Sequence, residues 1–68
     1  MNPLQKNIMA ILMGANQPLD TAEITLHLNG ENRHRVQGEL HILDDDGAVE
    51  MRNGFYKPSA AYRRGDQA

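Results

Sequence analysis

The side chains best suited to chemistry stand close together near the middle of the chain. Arg33 and Arg35 carry fixed positive charges, and His34, Gln37 and His41 add groups that donate or accept hydrogen bonds. An arginine guanidinium pairs with two acceptors on guanine or with phosphate oxygens, and a glutamine amide pairs with adenine in the same two-point manner. The group therefore indicates either recognition of a polar partner or the ordinary solvated surface of a helix.

Metal binding is a second chemistry to weigh, because a histidine recurs every seven residues at His27, His34 and His41. On one helix, His34 and His41 lie about 10 Å apart along the axis, which is too far for both to bind one ion. The acidic run 44–46 lacks further ligands at calcium-loop spacing. That run is a solvated helix end, a docking face for a basic partner, or a surface that repels DNA. We expect no metal and no cofactor.

Catalysis is not expected. The chain has no cysteine, its one serine is Ser59, and it has no glycine-rich phosphate loop. Its 68 residues leave little room for a pocket that excludes water. We therefore expect no catalytic residues.

The overall charge is −2, which argues against strong non-specific binding to nucleic acid. The charge is uneven, however, because the segment 52–68 carries four basic residues against the single acid Asp66.

The absence of cysteine fits a reducing compartment. The N-terminus resembles no secretory signal, and the longest apolar stretch is too short to span a bilayer. We expect a cytoplasmic protein without a membrane partner.

Three helices are predicted to position these side chains. The first runs from Pro3 to about Met13, with Asn2 as its cap and Gly14 just past its end. The second is short, starts with a capping box at Asp20 or Thr21, and ends at the pair 29–30.

The third predicted helix carries the candidate residues. It is capped by Asn32, runs to about Asp46 and stops at Gly47. Its apolar stripe leaves His34, Gln37 and His41 pointing outward. Gly38 also points outward. A glycine at mid-helix is unfavourable, so it indicates close approach of another backbone or a tolerant surface position.

After Gly47 the hydrophobic period changes to two. Residues 48–52 and 55–57 read as two strands, and the intervening Asn53-Gly54 is a strong hairpin signal. Pro58 closes the second strand. The segment 59–68 has no apolar periodicity and is expected to be a disordered tail after a single domain at 1–58.

The order of helix, short helix, turn, third helix and hairpin resembles the winged helix-turn-helix superfamily. The framework positions that carry this resemblance are Thr21-Ala22-Glu23-Ile24, Val36, Leu40, Leu43, Gly47-Ala48-Val49 and Phe55-Tyr56. The size is similar to that of small single-domain bacterial regulators. The resemblance implies an α+β, mostly α fold of three helices followed by a two-stranded wing.

The resemblance also implies a function. The third helix would enter the major groove of double-stranded DNA, and the wing would touch the DNA backbone. The matching positions here are Asn32, Arg33, His34, Gln37 and His41 on the helix, with Arg52 and Lys57 on the wing. Arg35 in the first turn and Gly38 complete the candidate DNA-binding set. We expect a DNA-binding transcriptional regulator, acting as a homodimer or beside a larger regulatory partner.

The alternative is a winged helix that serves as a protein-interaction module and does not bind DNA itself. The net negative charge and the acidic run 44–46 favour this alternative. So do three apolar residues outside the main helical stripes, Met9, Met13 and Ile42.

Overall fold

In the computed structural model, which describes residues 1–65, the chain begins with the helix α1 (Pro3–Gly14). The side chain of Asn2 accepts a hydrogen bond from the Gln5 amide at 2.8 Å, and Gln5 Oε1 accepts one from the Asn2 amide at 3.1 Å. The predicted cap is confirmed, and Gln5 completes a capping box that was not predicted. Gly14 is the last helical residue, so its predicted place beyond the helix is wrong by one position.

The second helix, α2 (Thr21–Leu26), begins at Asp20, one of the two predicted caps. Asp20 and Glu23 form the predicted capping box through hydrogen bonds of 2.8 and 2.9 Å. The helix ends before residues 29–30, and Gly30 takes a φ of 75° in the turn that follows. This left-handed conformation suits glycine and lets the chain reverse into the next helix.

The third helix, α3 (Arg33–Asp45), matches the predicted bounds closely. Asn32 caps its start, and Gly47 follows its end with a φ of 80°. The strands β2 (Val49–Arg52) and β3 (Phe55–Pro58) then form the predicted hairpin. Because Asn53 and Gly54 have φ values of 54° and 83°, they make the tight turn that matches strand twist.

A further strand, β1 (Leu19–Asp20), precedes α2 and pairs with β3, which gives an antiparallel sheet in the order β1-β3-β2. Leu19 lies opposite Tyr56, and Asp20 lies opposite Phe55. This strand was not predicted because two residues are too few to show a period. The prediction of an α+β, mostly helical fold is confirmed, with the sheet extended from two strands to three.

The segment after Pro58 differs from the predicted disordered tail. Ser59 is buried, donates its amide to Ala48 O at 2.9 Å, and caps a short helix, α4 (Ala60–Arg63). Tyr62 packs against the core, which supplies the apolar contact that holds this turn in place. The structure therefore differs from the prediction over 59–65, and the remainder of that tail, 66–68, lies outside the described residues.

The core forms where α1, α2 and α3 meet one face of the sheet. Its fully buried large side chains are Ile8, Met9, Leu12, Ile24, Val36, Leu40 and Leu43. Met9 thus belongs to the core, whereas Met13 and Ile42 remain exposed. Among residues 1–65, no helix combines the length and apolar character needed to cross a bilayer.

Replacement of Leu40 by alanine tests this core. Leu40 is 0% exposed, so Leu40→Ala should lower the free energy of unfolding by about 2–5 kcal/mol through lost burial and a cavity. The matched control is Leu26→Ala, because Leu26 is 84% exposed on α2. Urea denaturation of both variants measures the difference, and equal midpoints would contradict the placement of Leu40.

Candidate functional site

The predicted contact residues of the third helix lie mostly on its exposed side. Arg33, His34, Arg35, Gly38 and His41 are all exposed, and we call this group the outward face of α3. With a rotation of 100° per residue, His34, Gly38 and His41 lie away from the buried stripe of the helix. Arg35 lies on one flank, and Arg33 lies nearer the buried stripe but is exposed at the start of the helix. Five of the nine predicted residues are therefore accessible on α3, with the two arginines on opposite flanks of the helix, about 160° apart around its axis.

Gly38 lies near the centre of this outward face. A Cβ atom added there would meet no heavy atom within 4 Å. Packing inside the described chain therefore does not require glycine at this position. The helix backbone at Gly38 is therefore accessible between the side chains of His34 and His41.

The Gln37 side chain is used inside the protein. Its Oε1 accepts a short hydrogen bond from the Thr21 hydroxyl, and its Nε2 donates to the Tyr56 hydroxyl at 3.0 Å. The same Nε2 lies 2.9 Å from Nε2 of His41. Because both the oxygen and the nitrogen of the amide are engaged, the expectation that Gln37 pairs with adenine needs correction. Gln37 is a positioning residue that orients His41.

The Asn32 side chain is also engaged within the chain. Its Oδ1 accepts hydrogen bonds from the amides of His34 and Arg35, at 2.7 and 3.4 Å. This cap satisfies backbone donors that a helix start otherwise leaves unpaired. Asn32 thus fixes the first turn that carries the two arginines, and its oxygen is not free to contact a partner.

Glu39 anchors α3 to α1 and was not identified from the sequence. Its carboxylate accepts hydrogen bonds from Gln5 Nε2 at 2.8 Å and Asn2 Nδ2 at 3.2 Å. These are the residues of the α1 capping box. The only sequence signal was the Asn2–Gln5 spacing, because Glu39 lies more than thirty positions further along the chain. Glu39 is turned toward α1, so it contributes its charge away from the outward face.

The two basic residues of the hairpin lie on a different surface. Tyr56 is buried against the helices, and strand residues alternate between faces, so Lys57 and Arg52 lie on the opposite face of the sheet. Both line a groove there with Glu23, Glu50 and Phe55, and no residue of α3 lines this groove. The structure therefore separates the hairpin residues from the outward face of α3.

Charge is distributed unevenly along α3. Arg33 and Arg35 lie in its first turn, and the acidic residues 44–46 lie at its other end. The start of a helix also carries a partial positive charge from its backbone amides. The first turn is thus the part of this surface best suited to an anion. Within residues 1–65, no group of three or more histidine, cysteine, aspartate or glutamate side chains is placed to hold a metal.

Comparisons of the chain with protein-family models, with curated proteins and with solved structures find no significant match.

Replacement of Gln37 tests its positioning role. Gln37→Ala removes the partner of the buried Thr21 and Tyr56 hydroxyls and should lower the free energy of unfolding by about 1–3 kcal/mol. The same change at the exposed Gln17 is the control. Urea denaturation compares the two variants. Equal stability would show that the Gln37 hydrogen bonds contribute nothing to the fold.

Proposed function

We propose that this chain is a winged helix-turn-helix domain that binds double-stranded DNA through the outward face of α3 and acts as a transcriptional regulator. The observation that carries the proposal is the exposed, basic first half of α3, which surrounds the open position at Gly38. An α-helix fits the major groove, where the first residues of a recognition helix meet the base edges.

The arrangement of elements supports this proposal. Helices α2 and α3 are joined by a turn and held together by the Thr21–Gln37 hydrogen bond. The hairpin follows α3 directly and is tied to it by the Tyr56–Gln37 hydrogen bond. A rigid scaffold of this kind orders the helix before binding, so less conformational entropy is lost when DNA is bound.

The polarity of α3 favours entry of its first half into the groove. Arg33 and the acidic end near Asp45 are separated by about 18 Å along the helix axis. That distance exceeds the Debye length of about 8 Å at physiological salt, so phosphates near Arg33 are largely screened from the acidic end. The acidic end then limits how far the helix can lie along the DNA.

The residues of the outward face contact different parts of the DNA. Arg33 and Arg35 bind guanine edges or phosphate oxygens, and His34 and His41 add hydrogen bonds to bases or the backbone. Gly38 allows the DNA to come close to the helix. Because Arg52 and Lys57 lie on the far face of the sheet, we assign the main contact to α3 and a secondary backbone contact to the hairpin.

The double variant Arg33→Ala/Arg35→Ala tests the contact. It should weaken binding of a fluorescent mixed-sequence duplex and reduce the slope of log K against log salt by about 2, since two phosphate neutralisations are lost. The control is Lys6→Ala, because Lys6 is exposed on α1. Fluorescence anisotropy over a series of salt concentrations provides both values. If the control weakened binding as much as the double variant, the assignment to α3 would fail.

Gly38 offers an independent test that separates binding from stability. Gly38→Leu should leave the free energy of unfolding equal or raise it by about 0.5–1 kcal/mol, because leucine favours helices and the site is open. The same change should reduce DNA affinity by at least about tenfold, or 1.4 kcal/mol, by blocking close approach. Gly14→Leu is the control, since Gly14 is also a helical glycine with open space around it. Unchanged affinity in Gly38→Leu would exclude this face from the contact.

A protein-interaction module remains the second candidate function. It is favoured by the 46% exposure of Ile42 beside the acidic end of α3. The two functions differ in their response to salt, because DNA binding weakens steeply with salt whereas an apolar contact does not. Amide chemical shifts that move at 33–41 with duplex DNA, and return when salt is added, would favour DNA.

A further inference from the structure

The strand β2 lies at one end of the sheet, and its backbone groups point in two directions. Arg52 and Phe55 flank a two-residue turn and face each other, so this pair exchanges backbone hydrogen bonds. The Ser59 amide, which bonds Ala48 O at 2.9 Å, continues the same ladder. Since the pattern alternates along an antiparallel pair, the N–H and C=O groups of Val49 and Met51 point outward, away from β3.

This outward edge is accessible around Met51, whereas Val49 is only 2% exposed, and its accessible part carries an acidic residue and a basic residue on either side of Met51. Glu50, Met51 and Arg52 are all exposed, and Met51 is 48% exposed although it lies on the same sheet face as the buried Tyr56. An accessible strand edge with unpaired backbone groups is a template for another strand. The sequence of the edge then determines which strand fits.

We propose that β2 of a second copy of this chain pairs antiparallel with β2 at this edge, with Met51 opposite the partner's Met51. In that register each Met51 N–H donates to the Met51 carbonyl of the other copy. Glu50 lies opposite the partner's Arg52, and Arg52 lies opposite the partner's Glu50. The β2 edges of two copies are therefore complementary in charge.

The neighbouring registers are disfavoured by the same charges. A shift of the partner strand by two residues keeps the outward backbone groups opposite one another. In one direction this shift places Glu50 opposite the partner's Glu50, and in the other direction it places Arg52 opposite the partner's Arg52. Like charges directly opposite on adjacent strands are destabilising, whereas opposite charges are stabilising. One register alone pairs both Glu50 and Arg52 with an opposite charge.

The pairing also extends the interactions on both faces of the sheet. On the outer face, Lys57 lies opposite Glu50 within the chain, so a row of Lys57, Glu50 and the partner's Arg52 alternates in sign across three strands. On the inner face, the two Met51 side chains come together between the two Tyr56 residues. The pairing thus covers the exposed Met51 side chains on the inner face while opposite charges pair on the outer face.

The symmetry of the pair places the two copies in a defined orientation. The two-fold axis of an antiparallel strand pair is perpendicular to the sheet, and α3 packs on the Tyr56 side of that sheet. Both copies of α3 therefore lie on the same side of the joined sheet. The proposal rests on strand register and charge and stands whether or not the chain binds DNA.

The pairing should be weak, because a four-residue strand buries much less than the area of about 1,200 Å² typical of stable complexes. Sedimentation of the wild-type chain at concentrations up to about 1 mM should show a monomer–dimer equilibrium that shifts toward monomer as salt is added. The Met51 amide should exchange with solvent more slowly as the protein concentration rises. A wild-type chain that stays monomeric up to this concentration overturns the proposal.

Variants that reverse the charge of Glu50 or Arg52 test the register of the proposed β2 pairing. Glu50→Arg and Arg52→Glu each place like charges opposite one another in both symmetric pairs, so each should raise the dimer dissociation constant by at least about tenfold. Mixing the two variants restores both opposite-charge pairs, and only the mixture should associate. The double variant Glu50→Arg/Arg52→Glu should recover self-association as well.

A charge change outside β2 should leave dimerisation unchanged. Asp45→Arg changes the charge by the same amount on the exposed end of α3 and should dimerise as the wild type does. Circular dichroism of each variant checks that it is folded. Undiminished dimerisation of Glu50→Arg, or failure of the two folded single variants to associate when mixed, would show that the chains do not pair through β2.

Discussion

The carboxamide of Gln37 connects three separate parts of the fold. It accepts from Thr21 at the start of α2 and donates to Tyr56 in β3, while its own backbone belongs to α3. Tyr56 is 3% exposed, so its hydroxyl needs an internal partner to be buried without a penalty. This one side chain therefore adds directional contacts between α3, α2 and the hairpin to the apolar packing that already joins them. His41, which Gln37 contacts, takes its position on the outward face from the same group.

Helix α3 carries two kinds of polar side chain. Some bind other parts of the chain, and others are exposed to solvent. Asn32, Gln37 and Glu39 bind other parts of the chain, whereas Arg33, His34 and Arg35 are exposed. The caps order the backbone of the first turn, so the arginines project from a fixed base. A preorganised basic surface loses less entropy on binding than a flexible one. A chain with a net charge of −2 presents one surface suited to an anion because its basic and acidic residues lie at opposite ends of α3.

The parts of the fold that sequence analysis predicted are those controlled by neighbouring residues. Asn2, Asp20 and Asn32 act as caps within three residues, and the turn at 53–54 is set by its own backbone preferences. By contrast, β1 and α4 are too short to have a period and are held by pairing or packing with distant residues. The exposure of His34 and His41 followed from the helical period, whereas that period placed Arg33 nearer the buried side, and its exposure comes from its place at the helix start. The role of Gln37 did not, because Thr21 and Tyr56 lie 16 and 19 positions away along the chain.

The separation of the hairpin charges from α3 bears on both proposals. If Arg52 pairs with the partner's Glu50, its guanidinium is taken up by the edge of the sheet, and DNA affinity must come from Arg33 and Arg35. One domain of this size makes too small a DNA interface for strong specificity. A symmetric pair with both copies of α3 on one side would double that interface without requiring further basic residues. The same charges that fix the register of β2 would then place two basic helix starts toward a single duplex.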